Sequence, residues 1–389
     1  MRRKSMQGHM TRRDFLHRCG QCALVLAGAP VLNLALPDTS PASLYMGKGV
    51  LGNSLSPYFE PLDDRRIRCT LCPRECEVSH GERGYCRVRE NKDGKYYSLV
   101  HGNPCAVHLD PIEKKPFYHV LPATLSFSIA TAGCNLHCKF CQNWEISQAK
   151  PDDTFNYALS PAAVVQEALK AQCVSIASTY VEPTIFIEYM MEVGGIAAKE
   201  NLLKVMHSNG YINEAPLKDL CRVLHAACID LKGFSDAFYR ELTEGSLEPV
   251  LATLKRLCQW GVHTEIVNLV IPGKNDDMGQ IRAMCRWIRT ELGPDVPLHF
   301  SRFTPLYRLK SLSPTPISTL EEARSAALAE GLRFVYLGNV PGHPAEHTDC
   351  PDCKSRLIER TGYRVQVLEL KDGHCGKCGR KIPGIWKVG

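Results

Sequence analysis

Nineteen of the 389 residues are cysteine, and twelve of these fall into three groups whose spacing suits metal ligation. The first is Cys69-x2-Cys72-x3-Cys76-x9-Cys86, with Cys105 further on as a spare ligand. The second is Cys134-x3-Cys138-x2-Cys141, and the third is Cys350-x2-Cys353-x21-Cys375-x2-Cys378. Thiolates two or three residues apart can be aimed at one metal centre by a tight turn. The middle group differs in number. Iron–sulfur clusters are normally held by four thiolates. Three would hold three irons of a four-iron cluster and leave the fourth open, which is what a catalytic metal needs and a structural one avoids. A zinc site with one ligand missing is the alternative. The outer groups have four thiolates each and read as closed. Between the two C-terminal knuckles, Tyr363–Leu370 alternates like a strand and Asp372-Gly373 makes a turn, a zinc-ribbon pattern. An auxiliary iron–sulfur cluster, or free or disulfide-bonded thiols, are the alternatives there. For Cys69, Cys72, Cys76 and Cys86, zinc and a second iron–sulfur cluster fit about equally. Cys173, Cys221, Cys228, Cys258 and Cys285 stand alone in apolar surroundings and read as small buried hydrophobes.

The elements that position the middle group are also legible. The loop follows an apolar, strand-like run, Leu125–Ala130. After it, helical patterns over 160–172, 184–199, 216–226, 235–259, 278–291 and 319–330 alternate with apolar runs. Those runs are Val174–Tyr180, Leu203–His207, Cys228–Leu231, Thr264–Ile271, Leu298–Phe303 and Phe334–Leu337. Such alternation predicts an α/β fold with a parallel sheet and right-handed crossovers. Six or seven units fit a partial barrel of the (β/α)6 type, with small Cys-rich lobes at both ends. Functional residues in such sheets sit at the carboxyl ends of strands. Glu182, Asn209, Asp230, Lys232, Asn268 and His299 lie at such ends, where a cap or turn role is the competing explanation.

Composition narrows the class further. At 44% hydrophobic the chain can bury a core, and it is too long for a disulfide scaffold. The net charge of +6 resides almost entirely in residues 1–18, leaving the remainder near neutral. No basic stripe is present, so no nucleic-acid partner is expected. Thr11-Arg12-Arg13-Asp14-Phe15-Leu16 and the apolar stretch Cys22–Leu36 read as a twin-arginine-like export signal. The stretch is short and broken by Pro30 and Asn33, unlike a membrane span. An amphipathic helix docked on the body is the alternative. The expected divisions are a signal segment 1–37, a linker 38–58 and an N-terminal Cys-rich lobe 59–118. A core 119–345 and a zinc-ribbon-like lobe 346–389 follow.

The loop Thr131-Ala132-Gly133-Cys134-Asn135-Leu136-His137-Cys138-Lys139-Phe140-Cys141 resembles the signature of the radical S-adenosylmethionine (SAM) superfamily, including the aromatic Phe140. The resemblance implies a 4Fe–4S cluster on Cys134, Cys138 and Cys141, with SAM chelating the open iron. It also implies reductive cleavage of SAM to methionine and a 5′-deoxyadenosyl radical. It places Phe140, Glu182, Asn209, Asp230, Lys232 and His299 near SAM. Members often carry a glutamate after two glycines where this chain has Tyr180-Val181-Glu182. Asp230-Leu231-Lys232 is similar to a motif of the pyruvate formate-lyase activating enzymes. A longer resemblance links residues 65–389 to the radical SAM protein of the AmmeMemoRadiSam system. It is carried by Gly84–Arg89, Asp110–Pro116, Cys141–Gln148 and Gly338–Gly342. It implies Memo-like and AMMECR-type partner proteins, and the chemistry implies a reductant such as flavodoxin or ferredoxin. That chemistry belongs to the cytoplasm, whereas the twin-arginine-like segment points to export or inner-membrane association. Three rival readings are a glycyl-radical-enzyme activase, an exported electron-transfer protein and a non-catalytic zinc-knuckle binding protein.

Overall fold

A computed structural model describes residues 46–388. The expected signal segment and residues 38–45 of the expected linker lie outside them. Seven parallel strands follow one another in chain order across one sheet. They are β1 (Leu125–Ala130), β2 (Ser175–Ser178), β3 (Leu203–Ser208), β4 (Ala226–Asp230), β5 (His263–Val270), β6 (Leu298–Arg302) and β7 (Val335–Gly338). An antiparallel edge strand, Ala106–Pro111, pairs with β1 so that Ala106 faces Ala130. It does not pair with β7, so the barrel is partial and open.

Six crossovers supply the outer layer: α1 (Pro161–Lys170), α2 (Ile187–Ala197), α3 (Glu214–Leu220), the pair α4 (Asp236–Thr243) and α5 (Glu248–Gln259), α6 (Met278–Glu291) and α7 (Ile317–Ala329). Local chemistry starts several of them. Ser160, Ser235 and Asp277 accept the N–H three residues on, and Pro161 occupies the first turn of α1. The expected single helix over 235–259 is two. Glu244 adopts φ +58° and ends α4, a conformation a helix cannot continue through. The break serves the cysteine loop: the carbonyls of Thr243 and Leu242 accept from the N–H groups of His137 and Lys139.

The two faces of the sheet bury different partners, as strand alternation requires. Ile129, Ile176, Met206, Ile229 and Ile266 join the core that includes the helices. Ala177, Leu203, Val205, Ala226, Cys228 and Val267 face the other way, onto Ile112, Phe117, Val120 and Leu121. The segment 112–121 therefore fills the inner face from one end. Of the five isolated cysteines, Cys173, Cys228 and Cys285 are buried, and Cys221 and Cys258 half-buried.

The outer lobes are built of short antiparallel strands. Phe59–Pro61, Ile67–Cys69 and Glu77–Val78 form one sheet, while Arg356–Thr361 and Arg364–Val367 form the hairpin of the C-terminal ribbon. Arg360, fully buried, donates to the carbonyls of Tyr118 and Glu346 and so ties ribbon to core. Residues 46–58 differ from the linker expected of them. Met46–Lys48 pairs with Phe155–Tyr157, and Ser54–Leu55 with Tyr97–Ser98. Their partners lie 40 to 110 residues away, roughly, so local composition carried no trace of the pairing.

Candidate active site

The cysteine loop leaves β1 at its carboxyl end. Gly133 is held at φ +87°, and a Cβ there would lie 2.4 Å from the Cys86 carbonyl oxygen and 2.6 Å from Val88 Cγ1. Only glycine fits both the turn and the approach. Cys134 and Cys138 are buried and Cys141 is half-buried. The Leu136 N–H points at the Cys134 sulfur (3.4 Å), and Ser147 Oγ lies 3.2 Å from the Cys141 sulfur. Burial pushes the Cys134 thiol far up and the Cys138 thiol up to about 12. A bound metal centre would be what holds them as thiolates. Their sulfurs do not crowd together as a single-ion site would require. Among the described residues, the one group of three or more metal-ligating side chains with all ligand atoms within 4.8 Å is Cys350, Cys353, Cys375 and Cys378. There the Cys350–Cys378 and Cys353–Cys375 sulfurs are 3.6 Å apart. A tetrahedral ion with 2.3 Å bonds sets that edge at about 3.8 Å.

The loop opens on a cavity of about 520 Å³ between the strand ends, lined by all three cysteines, Phe140, Glu182, His207, Asn209, Asp230, Lys232 and His299. Asp230 accepts from His207 Nε2 and Lys232 Nζ, both at 2.8 Å. Burial raises its carboxyl, but Lys232 and His207 outweigh burial and hold it well below the usual carboxylate range. Lys232 moves up against its own burial, chiefly through Asp230 and then Cys138, and its Nζ stands 5.7 Å from the centre of the Phe140 ring. His207 was not singled out from the sequence. Its place one residue before the end of β3 was the available signal.

Glu182, Asn209 and His299 reach the cavity with polar atoms already engaged, whereas Asn268 lies outside its lining and leaves its buried Oδ1 unpartnered. Glu182 accepts from Thr184 N (2.9 Å), Thr184 Oγ1 (2.7 Å), Ser208 Oγ (2.8 Å) and Asn209 N (2.7 Å). It clamps the end of β2 to the end of β3, and its burial raises its pKa despite these donors. Asn209 Nδ2 donates to Asn135 Oδ1 at 2.8 Å and lies 4.0 Å from the Cys134 sulfur. His299 Nε2 sits 2.8 Å from Glu265 Oε2, and Asn268 Nδ2 donates to the Leu231 carbonyl. Across the cavity, Tyr180 adopts φ +66°, unusual for an aromatic residue. Its hydroxyl bonds Asp110, which also accepts from Lys114 and Lys115. Burial brings Lys115 down to about 8. Glu113 is buried at the cavity wall with Oε2 unpartnered, and sequence reading had not isolated it.

The N-terminal set is arranged differently from the ribbon. Cys69 and Cys72 are buried, and Cys76 and Cys86 half-buried. Cys105 stands apart at the foot of the edge strand, its N–H bonded to the Ala130 carbonyl.

Comparison with known proteins agrees with this geometry. The radical SAM superfamily description matches residues 128–285. Over 327 residues the chain is 44% identical to an uncharacterized protein of Methanocaldococcus jannaschii, covering 84% of this chain and 97% of that one. It is similar to a domain of a pyruvate-formate lyase-activating enzyme from Bacteroides vulgatus (TM-score 0.38, 12% identity, 42% of this chain, 98% of that chain). It is also similar to Streptococcus suis SuiB bound to S-adenosylmethionine (TM-score 0.40, 11% identity, 57% of this chain, 50% of that chain). A strand-end loop of three cysteines on a partial α/β barrel lies within the matched residues 128–285, and the chain carries a radical SAM superfamily domain.

Proposed function

We propose that the protein is a radical SAM enzyme, with Cys134, Cys138 and Cys141 holding a 4Fe–4S cluster and SAM bound in the cavity beside it. The observation that carries this reading is three separated thiols, two buried and one half-buried, facing a strand-end cavity whose wall presents Asp230 bonded to Lys232 and His207. When bound and reduced, the cluster supplies the electron that cleaves SAM to methionine and a 5′-deoxyadenosyl radical. The chain's own residues do the rest. Asp230 and Lys232 present opposite charges to the ammonium and carboxylate of SAM's methionine end. Phe140 backs Lys232 and narrows the cavity. Glu182 and Asn209 act one step removed, by fixing the β2 and β3 ends and the Asn135–Cys134 turn. Tyr180 and Glu113 face the part of the cavity left for substrate. The burial of the site keeps water from a reactive radical.

The motifs at Asp110–Pro116 and Gly338–Gly342 support placing the substrate within the AmmeMemoRadiSam system. A flavodoxin- or ferredoxin-type reductant and Memo-like and AMMECR-type proteins are the proposed partners. The test is anaerobic reconstitution with iron and sulfide, reduction, and quantification of 5′-deoxyadenosine. The wild type forms it. Cys134→Ala, Cys138→Ala and Cys141→Ala each abolish it while ribbon metal is retained. Wild-type turnover in any one of the three overturns the assignment. Product analysis with the two proposed partner proteins present then addresses the substrate.

A further inference from the structure

Three thiol sets in one chain allow a direct comparison of their spacing. The ribbon set gathers all four sulfurs within 4.8 Å, the compactness of a single tetrahedral ion. The loop set does not, although its three cysteines line one cavity. The N-terminal set follows the loop and not the ribbon. No three of Cys69, Cys72, Cys76 and Cys86 come within 4.8 Å of one another. Yet the backbone brings the four together: the Cys69 N–H donates to the Cys76 carbonyl at 2.9 Å, the Cys72 carbonyl closes the turn between them on the Glu75 N–H at 3.1 Å, and a Cβ at Gly84, two residues before Cys86, would lie 3.8 Å from the Cys76 sulfur. Thiolates that ligate separate irons stand further apart than thiolates sharing one ion.

The four are free thiols, Cys69 and Cys72 buried and Cys76 and Cys86 half-buried, so their polar sulfurs are largely withdrawn from water. Arg89, fully buried and paired with Glu188, adds positive charge near Cys69 and Cys86.

The lobe also grips the catalytic loop. Arg74 Nε donates to the Asn135 carbonyl at 2.6 Å, Tyr85 stacks on His137 with centroids 4.3 Å apart, and the Cys86 carbonyl lies against Gly133. We infer that Cys69, Cys72, Cys76 and Cys86 hold a second iron–sulfur cluster, adjacent to the one on Cys134, Cys138 and Cys141. Only its placement beside a first cluster rests on the proposed function. Its identity as a cluster stands on the lobe's own residues.

The experiment is metal and sulfide analysis of the anaerobically reconstituted full chain. In the Cys134→Ala/Cys138→Ala/Cys141→Ala variant, about four irons, about four sulfides and one ribbon metal ion remain. Two zinc ions with no sulfide there overturn the inference, whatever the wild type does with SAM. In a Cys72→Ser/Cys86→Ser variant the iron content falls by half from the wild-type value of about eight and zinc is unchanged. A fall in zinc with iron unchanged overturns the inference independently, so misfolding of one variant leaves it testable. Electron paramagnetic resonance of the dithionite-reduced wild type shows a signal broadened by two interacting clusters, and each variant shows a narrow one. A wild-type spectrum equal to the sum of the two narrow signals overturns the adjacency.

Discussion

Two carboxylates on neighbouring strands face different fates, one half-buried and one fully buried. Asp230, at the end of β4, is held by two side chains, His207 and Lys232. Glu265, near the start of β5, is fully buried and held by the backbone N–H groups of Tyr118 and His119 together with His263 and His299. Side-chain donors can swing away to accept a ligand, whereas backbone donors are fixed by the fold. On the proposed function the first arrangement is a binding device, whereas the second is a fastener. Glu265 secures the segment 112–121 to the sheet, and through Tyr118 it also meets Arg360 of the ribbon.

The sharpest way to break this distinction is at Asp230. Asp230→Ala is expected to reduce SAM cleavage by about a hundredfold or more, with cluster content and thermal midpoint unchanged. Equilibrium dialysis, iron analysis and a melting curve check it, and a large stability loss would make Asp230 a fastener too. Glu265→Gln should do the reverse, costing about 2–4 kcal/mol in denaturant unfolding because fixed donors lose their charged acceptor. SAM affinity at a temperature where it stays folded should change less than about threefold.

Acid sharpens the contrast next. The Glu265 donors outweigh burial and hold its carboxyl well below 4.5. Its contribution is therefore complete above that value and declines as the pH falls through it and below, toward the folded-state pKa. Between about pH 5 and 3 the wild type should lose stability more steeply than Glu265→Gln, measured by urea unfolding. Equal slopes would mean that Glu265 carries no special linkage. The smallest effect is expected from the ribbon. Cys375→Ser with Cys378→Ser should expose the chain to protease after about residue 345. It should lower the core's midpoint by only a few degrees, since the ribbon reaches the Glu265 clamp solely through its neighbours. Loss of the loop cluster in that variant would make the ribbon part of the core.

What could be read in advance was what is local. Cys134, Cys138 and Cys141 announce themselves by spacing, and each strand–helix unit by its own periodicity. Asp230 and Lys232 were legible because their Asp-Leu-Lys starts at the end of a recognisable strand and is similar to a motif of the pyruvate formate-lyase activating enzymes. The rest depends on pairings across the fold. Glu265 looks like an ordinary strand residue until His299 and the Tyr118 backbone arrive from 34 and 147 residues away. Glu182 and Asn209 were placed at the right strand ends, but their engagement by Thr184, Ser208 and Asn135 is a property of assembled loops. The split at Glu244 was hidden because apolar periodicity persists across it, while the left-handed turn is dictated by the docking of His137 and Lys139 on the end of α4.

The filling of the inner face by residues 112–121 bears on the order of events during turnover. Pro116 and Tyr118 of that segment form part of the cavity lining, so the chamber has a floor. On the proposed function, both molecules exchange at the side of the chamber left open, so the one seated against the loop cysteines enters first and departs last. Turnover should accordingly be strictly ordered, with 5′-deoxyadenosine and methionine retained until the modified substrate has gone. Product-inhibition patterns of a random sequence would reveal a second exit.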